Sequence, residues 1–504
     1  MKILSAVLGI LLIVTAAVSH EYFTATTSLI NLLQSEHTII NVLQDYVSGV
    51  EKHIEVIKQF INSRRSVGEE VDEMADYVAN PIQAYSLIKR MTIDLKAVEE
   101  STQVMATPDY VPNISYFRSA FYLPQESDLH GAANALLLLQ ETYKLNMSAM
   151  VRGFLQSNGP ISPFQAEEQL TARDCLYLGK NSFNQGHYDN AIDWFKTALT
   201  KAEDEHNITV SREEIQAFLD IAVYAHNEIL KERKDISIMP VIFFKHYFLF
   251  SPLGPFQLRP LEWEKNLRCR YFKGYHPYLL LQPIKLEEKS KKPYIAQLYD
   301  VISDKEIRKM QNLSMPYLQR STHYGYSGFY EASQKRTSAN TWLAEDQDPL
   351  AERLDNRLKM ITGMASRYRH YEAEAYQIAN YGIGGHYVPH QDFIQSIKDN
   401  LFQLDDFEAR AGDRIATWMF YLSDVEAGGA TVFPYVGAVV RPKKGSAVFW
   451  WNLKRNGEGD AMTYHGACPV LRGSKWVSNK WFRVNAQMFR KPCSLNEDTY
   501  FTDL

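Results

Sequence analysis

Residues Tyr381-Gly-Ile-Gly-Gly-His-Tyr-Val-Pro-His-Gln-Asp392 contain a His-x-Asp pair, His390 and Asp392, and a further histidine, His465, follows 73 residues after Asp392. On a β-strand, residues i and i+2 face the same way, so both side chains of such a pair reach one ion. A third ligand from a distant strand makes two imidazoles and one carboxylate on one side of a metal. That set leaves about three coordination positions open, which suits oxygen chemistry at non-haem Fe(II). A structural zinc site instead closes all four positions, usually with thiolates. The chain has four cysteines and no Cys-x-x-Cys. Alone, His-x-Asp is a weak signal in a chain of 504 residues. Its surroundings carry the weight.

Ligands drawn from separated strands need a β framework, and the second half supplies one. Short alternating stretches occur at Ala375–Asn380, Arg414–Leu422, Ala430–Phe433, Ser446–Trp451 and Lys475–Arg483, separated by turn signals such as Ala427-Gly-Gly and Lys443-Lys-Gly. The first half is helical. Leu29, Leu33, Ile40, Leu43, Val47, Val50, Ile54, Ile57 and Ile61 step by three and four with Glu36 in the one polar slot, a coiled-coil-like stripe. Such a stripe buries itself either on a second copy or on the chain's own helix near Pro81–Thr102. Further on, Gly179, Ala191, Phe195 and Ala198 fall at tetratricopeptide spacings, where small residues let paired helices approach. From Pro240 to Pro283 no period is clean, and the stretch reads as a linker. The fold class is therefore α+β: N-terminal helices followed by a double-stranded β-helix, or jelly roll.

Size and composition narrow the alternatives. A chain this long holds roughly two to four domains. With a net charge of -5, it lacks the basic surface of a nucleic-acid binder. Lys2, the apolar run Ile3–Val14 and the small residues Ala17-Val18-Ser19 read as a secretory signal peptide over 1–19. No later stretch is long enough for a ~20-residue membrane span. The mature chain is thus expected in the secretory pathway, and Asn113, Asn146, Asn207 and Asn312 are sequons for glycosylation.

Several long segments make a more specific match. Ala379–Asp392, Arg414–Asp424, Ala427-Gly-Gly-Ala-Thr-Val-Phe-Pro434, Pro442–Trp450, His465-Gly-Ala-Cys-Pro-Val-Leu471 and Lys475-Trp-Val-Ser-Asn-Lys-Trp481 resemble the catalytic domain of collagen prolyl 4-hydroxylase α subunits, a family of Fe(II)/2-oxoglutarate dioxygenases. The helical half is similar to the same subunits more loosely. The resemblance implies His390, Asp392 and His465 as iron ligands and Lys475 as partner of the distal carboxylate of 2-oxoglutarate. Arg483 stands where many members place a histidine that assists at the 2-oxoglutarate end. Lys480 is expected at the surface, and His386 has no role. Tyr224 is assigned to the peptide groove, Ser321–Pro349 to a mobile substrate loop, and Cys468 with Cys493 to a disulfide.

The boundaries that follow are signal peptide 1–19, helical dimerisation domain 20–125, tetratricopeptide-like peptide-binding domain 126–235, linker 236–290 and catalytic domain 291–495. The implied reaction hydroxylates proline in X-Pro-Gly collagen-like segments, with Fe(II), 2-oxoglutarate, O2 and L-ascorbate. The implied assembly is α2β2 with protein disulfide isomerase in the lumen of the endoplasmic reticulum. The alternatives are a hydroxylase of another secreted Pro-rich protein and a catalytically weak peptide-binding subunit.

Overall fold

The computed structural model describes residues 22–47, 54–63, 71–103, 123–156, 164–232, 259–274, 276–324, 330–332, 335–394, 406–496 and 499–504. The signal peptide, Asn113 and the Ile236–Phe250 stretch lie outside them. No described helix is long and apolar enough to cross a membrane.

The apolar stripe is carried by helices α1 (Thr26–Val47) and α2 (Ile54–Ser63). Leu29, Leu33, Ile40, Leu43 and Ile57 are all buried, and the residues that cover them come from the same chain. These are α3 (Val71–Val78), α4 (Pro81–Lys89) and α5 (Leu95–Gln103). These five positions of the stripe pack within the chain. Asn80 starts α4 by accepting from the Ile82 N–H at 2.9 Å, with Pro81 at the first helical position. A single π turn, Arg90–Asp94, joins α4 to α5. There Arg90 donates from Nε to Glu36 at 3.0 Å and from Nη1 to Glu168 at 2.6 Å. The polar slot of the stripe is filled by an ion pair.

Helix α6 (Glu126–Tyr143) leads to the repeat-like unit α7 (Ala172–Asn184), α8 (Tyr188–Asp204) and α9 (Arg212–Glu232). Thr171 and Asp174 form a capping box at the start of α7. A Cβ at Gly179 would sit 2.5 Å from the Phe195 ring, so only glycine lets α7 and α8 close to this distance. Tyr224 stands on α9 with 69 % of its surface exposed. The exposed sequon asparagines are Asn146, Asn207 and Asn312.

In the two main sheets of the catalytic half the strands are β1 (Cys269–Phe272), β2 (Ile284–Lys291), β3 (Tyr294–Tyr299), β4 (Gln319–Arg320), β5 (Ala339–Leu343), β6 (Tyr376–Tyr381), β7 (Tyr387–His390), β8 (Arg414–Tyr421), β9 (Thr431–Phe433), β10 (Ala438–Val440), β11 (Ala447–Trp451), β12 (His465–Ala467) and β13 (Lys475–Arg483). A nine-stranded sheet runs β1-β2-β3-β11-β8-β13-β6-β5-β4, and a four-stranded sheet runs β7-β12-β9-β10. Both are antiparallel, as a jelly roll requires. Strand β8 is buried on both faces. Trp418 and Phe420 pack beneath the helices Asp304–Ser314 and Pro349–Thr362, while Met419 and Tyr421 point between the sheets.

Two expectations about extent need correction. Strands β1 and β2 hydrogen-bond into the large sheet, so the linker boundary at 290 falls inside catalytic structure. The segment assigned to a mobile substrate loop contains β5 and the buried residues Arg336, Thr337 and Ser338. Backbone pairing of β5 with β6 fixes that part of it.

Candidate metal centre

His390 and His465 lie directly opposite each other on β7 and β12. Asp392 follows just beyond the end of β7, and one ligand atom from each of the three lies within 4.8 Å of the others. His390 Nε2 is 3.5 Å from Asp392 Oδ1, and His465 Nε2 is 3.7 Å from Asp392 Oδ2. Each imidazole is held from behind. His390 Nδ1 lies 2.9 Å from the Val388 carbonyl and His465 Nδ1 2.9 Å from the Thr463 carbonyl. With Nδ1–H donating to those carbonyls, each Nε2 lone pair is left for an ion. Rings confine the imidazoles as well: Tyr387 stacks on His390 at 3.6 Å, and Trp450 meets His465 edge-on at 4.6 Å.

The carboxylate is oriented by two donors. Asp392 Oδ2 accepts from Thr417 Oγ1 at 2.7 Å and from Trp481 Nε1 at 2.9 Å. Burial acts to raise the Asp392 carboxyl, but His465, His390 and Arg414 outweigh it and hold the group well below the usual carboxylate range. His465 is pushed down to about 4, by burial first and by the neighbouring His390 second. Near neutral pH the cluster offers a carboxylate and an uncharged His465 imidazole. These are the protonation states that a hard-to-borderline divalent ion binds.

Beside the cluster lies a cavity of about 200 Å³. It is small against the ~300–1,000 Å³ of drug-sized pockets. At one side stands Lys475, cross-strand from Tyr381 and 1 % exposed. Its ammonium is 5.2 Å from the Tyr381 ring and has no hydrogen-bond or ion-pair partner among the described residues. Burial, with Arg336 adding to it, pushes this amine down to about 8. A buried cation without a counter-charge is costly unless a ligand supplies one. An anionic ligand in this cavity would supply one. The donor set and the orphaned ammonium therefore both suit iron with 2-oxoglutarate.

Other sequence expectations meet a different geometry. Arg483 shares the face of β13 that carries Lys475, but eight residues at about 3.3 Å each put their backbones roughly 26 Å apart. Its guanidinium donates to Glu374 Oε1 at 2.9 Å and to the Gly412 carbonyl at 2.7 Å, and it does not line the cavity. It cannot assist the Lys475 end. Lys480 is fully buried, not at the surface, because helices cover the opposite face of β13; its ammonium pairs with Asp355 at 2.9 Å. Cys468 and Cys493 are both free thiols. Cys468 is enclosed in the turn after β12, where burial pushes its thiol up to about 12, and Cys493 lies exposed in the C-terminal turn. His386 sits part-buried with Nδ1 3.0 Å from the Gly384 carbonyl, away from the ligand cluster.

Sequence reasoning left several residues without a role. Arg414 spreads its guanidinium 4.0 Å over the Trp481 ring and grips Glu374 at 2.6 and 2.9 Å. Arg336, Gln377, Asn479 and Trp481 line the cavity. For the last two a signal existed: Lys475, Val477, Asn479 and Trp481 alternate along one strand face.

Three sequence profiles match. Prolyl 4-Hydroxylase alpha-subunit, N-terminal region, covers residues 25–157; Prolyl 4-hydroxylase peptide-substrate-binding domain covers 172–235; and 2OG-Fe(II) oxygenase superfamily covers 376–483. The chain is similar to Prolyl 4-hydroxylase subunit alpha-2 of Gallus gallus, 34 % identical with 95 % of this chain and 96 % of that one covered. It is similar to subunit alpha-1 of Mus musculus, 33 % identical over 94 % and 96 %. For subunit alpha-2 of Caenorhabditis elegans the figures are 33 %, 97 % and 96 %.

Proposed function

Because this chain belongs to the prolyl 4-hydroxylase α-subunit family, and is on that footing an Fe(II)- and 2-oxoglutarate-dependent prolyl hydroxylase, we propose roles for its residues and a substrate class. His390, Asp392 and His465 hold iron on one face. Lys475 takes the distal carboxylate of 2-oxoglutarate. The observation that carries this reading is the buried Lys475 ammonium, beside the same small cavity as the ligands and without a counter-charge among the described residues. When bound, iron, 2-oxoglutarate and O2 supply the oxidation: one oxygen atom goes to proline C4 and the other to succinate, with release of CO2.

The chain's own side chains supply position and exclusion of water. Thr417 and Trp481 fix the Asp392 carboxylate, Val388 and Thr463 fix the two imidazole tautomers, and Trp450 with Phe433 shields His465. Arg414, itself at the cavity wall, lies over the Trp481 ring at 4.0 Å and braces it. The substrate is a collagen-like, Pro-rich polypeptide with proline in X-Pro-Gly. Its recruitment falls to the α7–α9 unit, where Tyr224 offers an exposed ring for stacking on prolines. The working assembly is α2β2 with protein disulfide isomerase in the lumen of the endoplasmic reticulum, and ascorbate restores iron oxidised in unproductive turnover.

The test uses the chain co-expressed with a protein disulfide isomerase and supplied with Fe(II), 2-oxoglutarate, O2 and ascorbate. Succinate release stimulated by a (Pro-Pro-Gly)n peptide, with one oxygen gained on proline by mass spectrometry and both lost in His465→Ala, is expected. Succinate without peptide oxidation would remove the collagen-like substrate; no succinate at all would leave a binding subunit.

A further inference from the structure

We propose that the N-terminal helical region is a built-in part of the 2-oxoglutarate subsite, with Phe23, Thr24 and Tyr143 acting as positioning residues for the two connecting segments that adjoin Tyr381 and Lys475. The inference rests on the assignment of Lys475 to the distal carboxylate.

The two segments are Gly382–Gly385, between β6 and β7, and Cys468–Ser474, between β12 and β13, which includes the short strand Val470–Arg472. Each links a cavity residue to a metal ligand: the first runs from Tyr381 toward His390, the second from His465 to Lys475. They are bonded to each other, Gly384 N–H to the Val470 carbonyl at 3.2 Å and Val470 N–H to the Gly385 carbonyl at 3.0 Å. Helices cover much of their outward-facing surface, although Arg472–Ser474 stay part-exposed. Gly382 N–H donates to the Thr24 carbonyl at 3.0 Å, and Gly473 N–H to the Ala79 carbonyl at 3.2 Å. Thr27 N–H donates to Asn380 Oδ1 at 3.4 Å. From α6, the Tyr143 hydroxyl donates to the Pro469 carbonyl. Backbone polar groups buried in this way need such partners, so their geometry is set from outside the catalytic half.

Close packing says the same. A Cβ at Gly382 would lie 2.4 Å from the Phe23 carbonyl oxygen and 2.8 Å from the Ala25 nitrogen. At Gly428 it would lie 2.6 Å from the Tyr143 hydroxyl. Gly384, at φ +57°, abuts Ala135 of α6: a Cβ there would lie 3.1 Å from both the Ala135 Cβ and its carbonyl oxygen, closer than ordinary contact. The loop side chains Ile383 and Leu471 are buried in the helical core, not in the jelly roll. Loosening this contact changes how Tyr381 and Lys475 face each other while leaving His390, Asp392 and their bracing donors untouched.

The test is calorimetric titration of 2-oxoglutarate into the full chain, co-expressed with a protein disulfide isomerase and loaded anaerobically with redox-silent Mn(II). Tyr143→Phe, which removes only the hydroxyl, is expected to weaken 2-oxoglutarate by about three- to tenfold, the size of one lost buried hydrogen bond. Gly382→Val should weaken it further. Mn(II) affinity and binding of a (Pro-Pro-Gly)n peptide should not move. Phe195→Leu, in the α7–α8 contact, should lower the melting temperature without changing 2-oxoglutarate affinity, which separates positioning from general destabilisation. If Lys475→Ala weakens 2-oxoglutarate but Tyr143→Phe binds it as the parent does, the inference fails and the Lys475 reading stands. If Lys475→Ala itself binds normally, the subsite lies elsewhere and both fail. Should Gly382→Val not fold, Tyr143→Phe alone decides.

Discussion

Lys475 and Lys480 stand five residues apart on one strand, both buried, and they meet opposite surroundings. Lys480 points toward the helices, where Asp355 at 2.9 Å and the Tyr376 ring at 4.3 Å receive it. Lys475 points between the sheets, toward the metal ligands, and has no anion among the described residues. Odd spacing on a strand sends the two to opposite faces. The difference separates a charge that the fold satisfies from one that it reserves. A completed buried pair belongs to the architecture; an incomplete one marks where a ligand's charge is missing.

The comparison breaks most sharply at Lys480. Lys480→Met leaves Asp355 buried and unpaired and is expected to cost about 3–5 kcal/mol of stability, read by chemical denaturation. Adding Asp355→Leu should restore most of it, since an apolar pair of similar volume replaces the ion pair. Equal stability for the single and double variants would show that the Tyr376 hydroxyl, which donates to Asp355 Oδ1 at 2.8 Å, satisfies the carboxylate by itself.

Lys475→Met should do the reverse. It removes an unpaired buried charge, so the ligand-free melting temperature is expected to hold or rise. The Michaelis constant for 2-oxoglutarate should climb by about a hundredfold, near the 2–3 kcal/mol of a charge-assisted contact. Trp481→Phe comes next. It keeps the ring under Arg414 but deletes the donor to Asp392, and metal affinity should fall by about tenfold, measured by competition with a chelator.

The smallest effect is pH dependence. In the ligand-free protein Lys475 titrates near 8 against 10.5 unperturbed. Between those values the unfolded chain binds more protons than the folded one, so this residue makes stability rise with pH across that window. Below it the cost of the buried charge is fully present. Affinity for 2-oxoglutarate has the opposite slope and should drop about fivefold from pH 8 to pH 9 as the ammonium is lost. A flat profile in Lys475→Met would assign the slope to this residue.

The contrast between the lysines also shows what the sequence withheld. Alternation placed β6, β8, β11 and β13 within a residue or two, because both faces are buried and the apolar run is long. The His-x-Asp pair and its distant histidine were legible because metal ligation constrains residue type and spacing. Lys480 was read as exposed since nothing local reveals that helices lie over that face. Arg483 was set at the 2-oxoglutarate end by position in a motif, whereas strand rise alone puts it beyond the metal. Glu36 is the one polar slot in an apolar stripe; its partner Arg90 lies 54 residues away, at a π turn that no local pattern announces. The pairing of Cys468 with Cys493 failed for a similar reason, burial of one and exposure of the other being set by tertiary packing.

The indoles around the ligands give the molecule an optical signal of its own. Trp481 donates directly to Asp392, and Trp450 lies edge-on to His465. An open-shell ion held by those ligands sits within a few ångströms of two of the chain's eight tryptophans and opens a non-radiative route for their excited states. Intrinsic emission should therefore dim when Co(II) or Fe(II) enters and return on chelation. Occupancy of the centre becomes readable in a cuvette, without turnover and without a label.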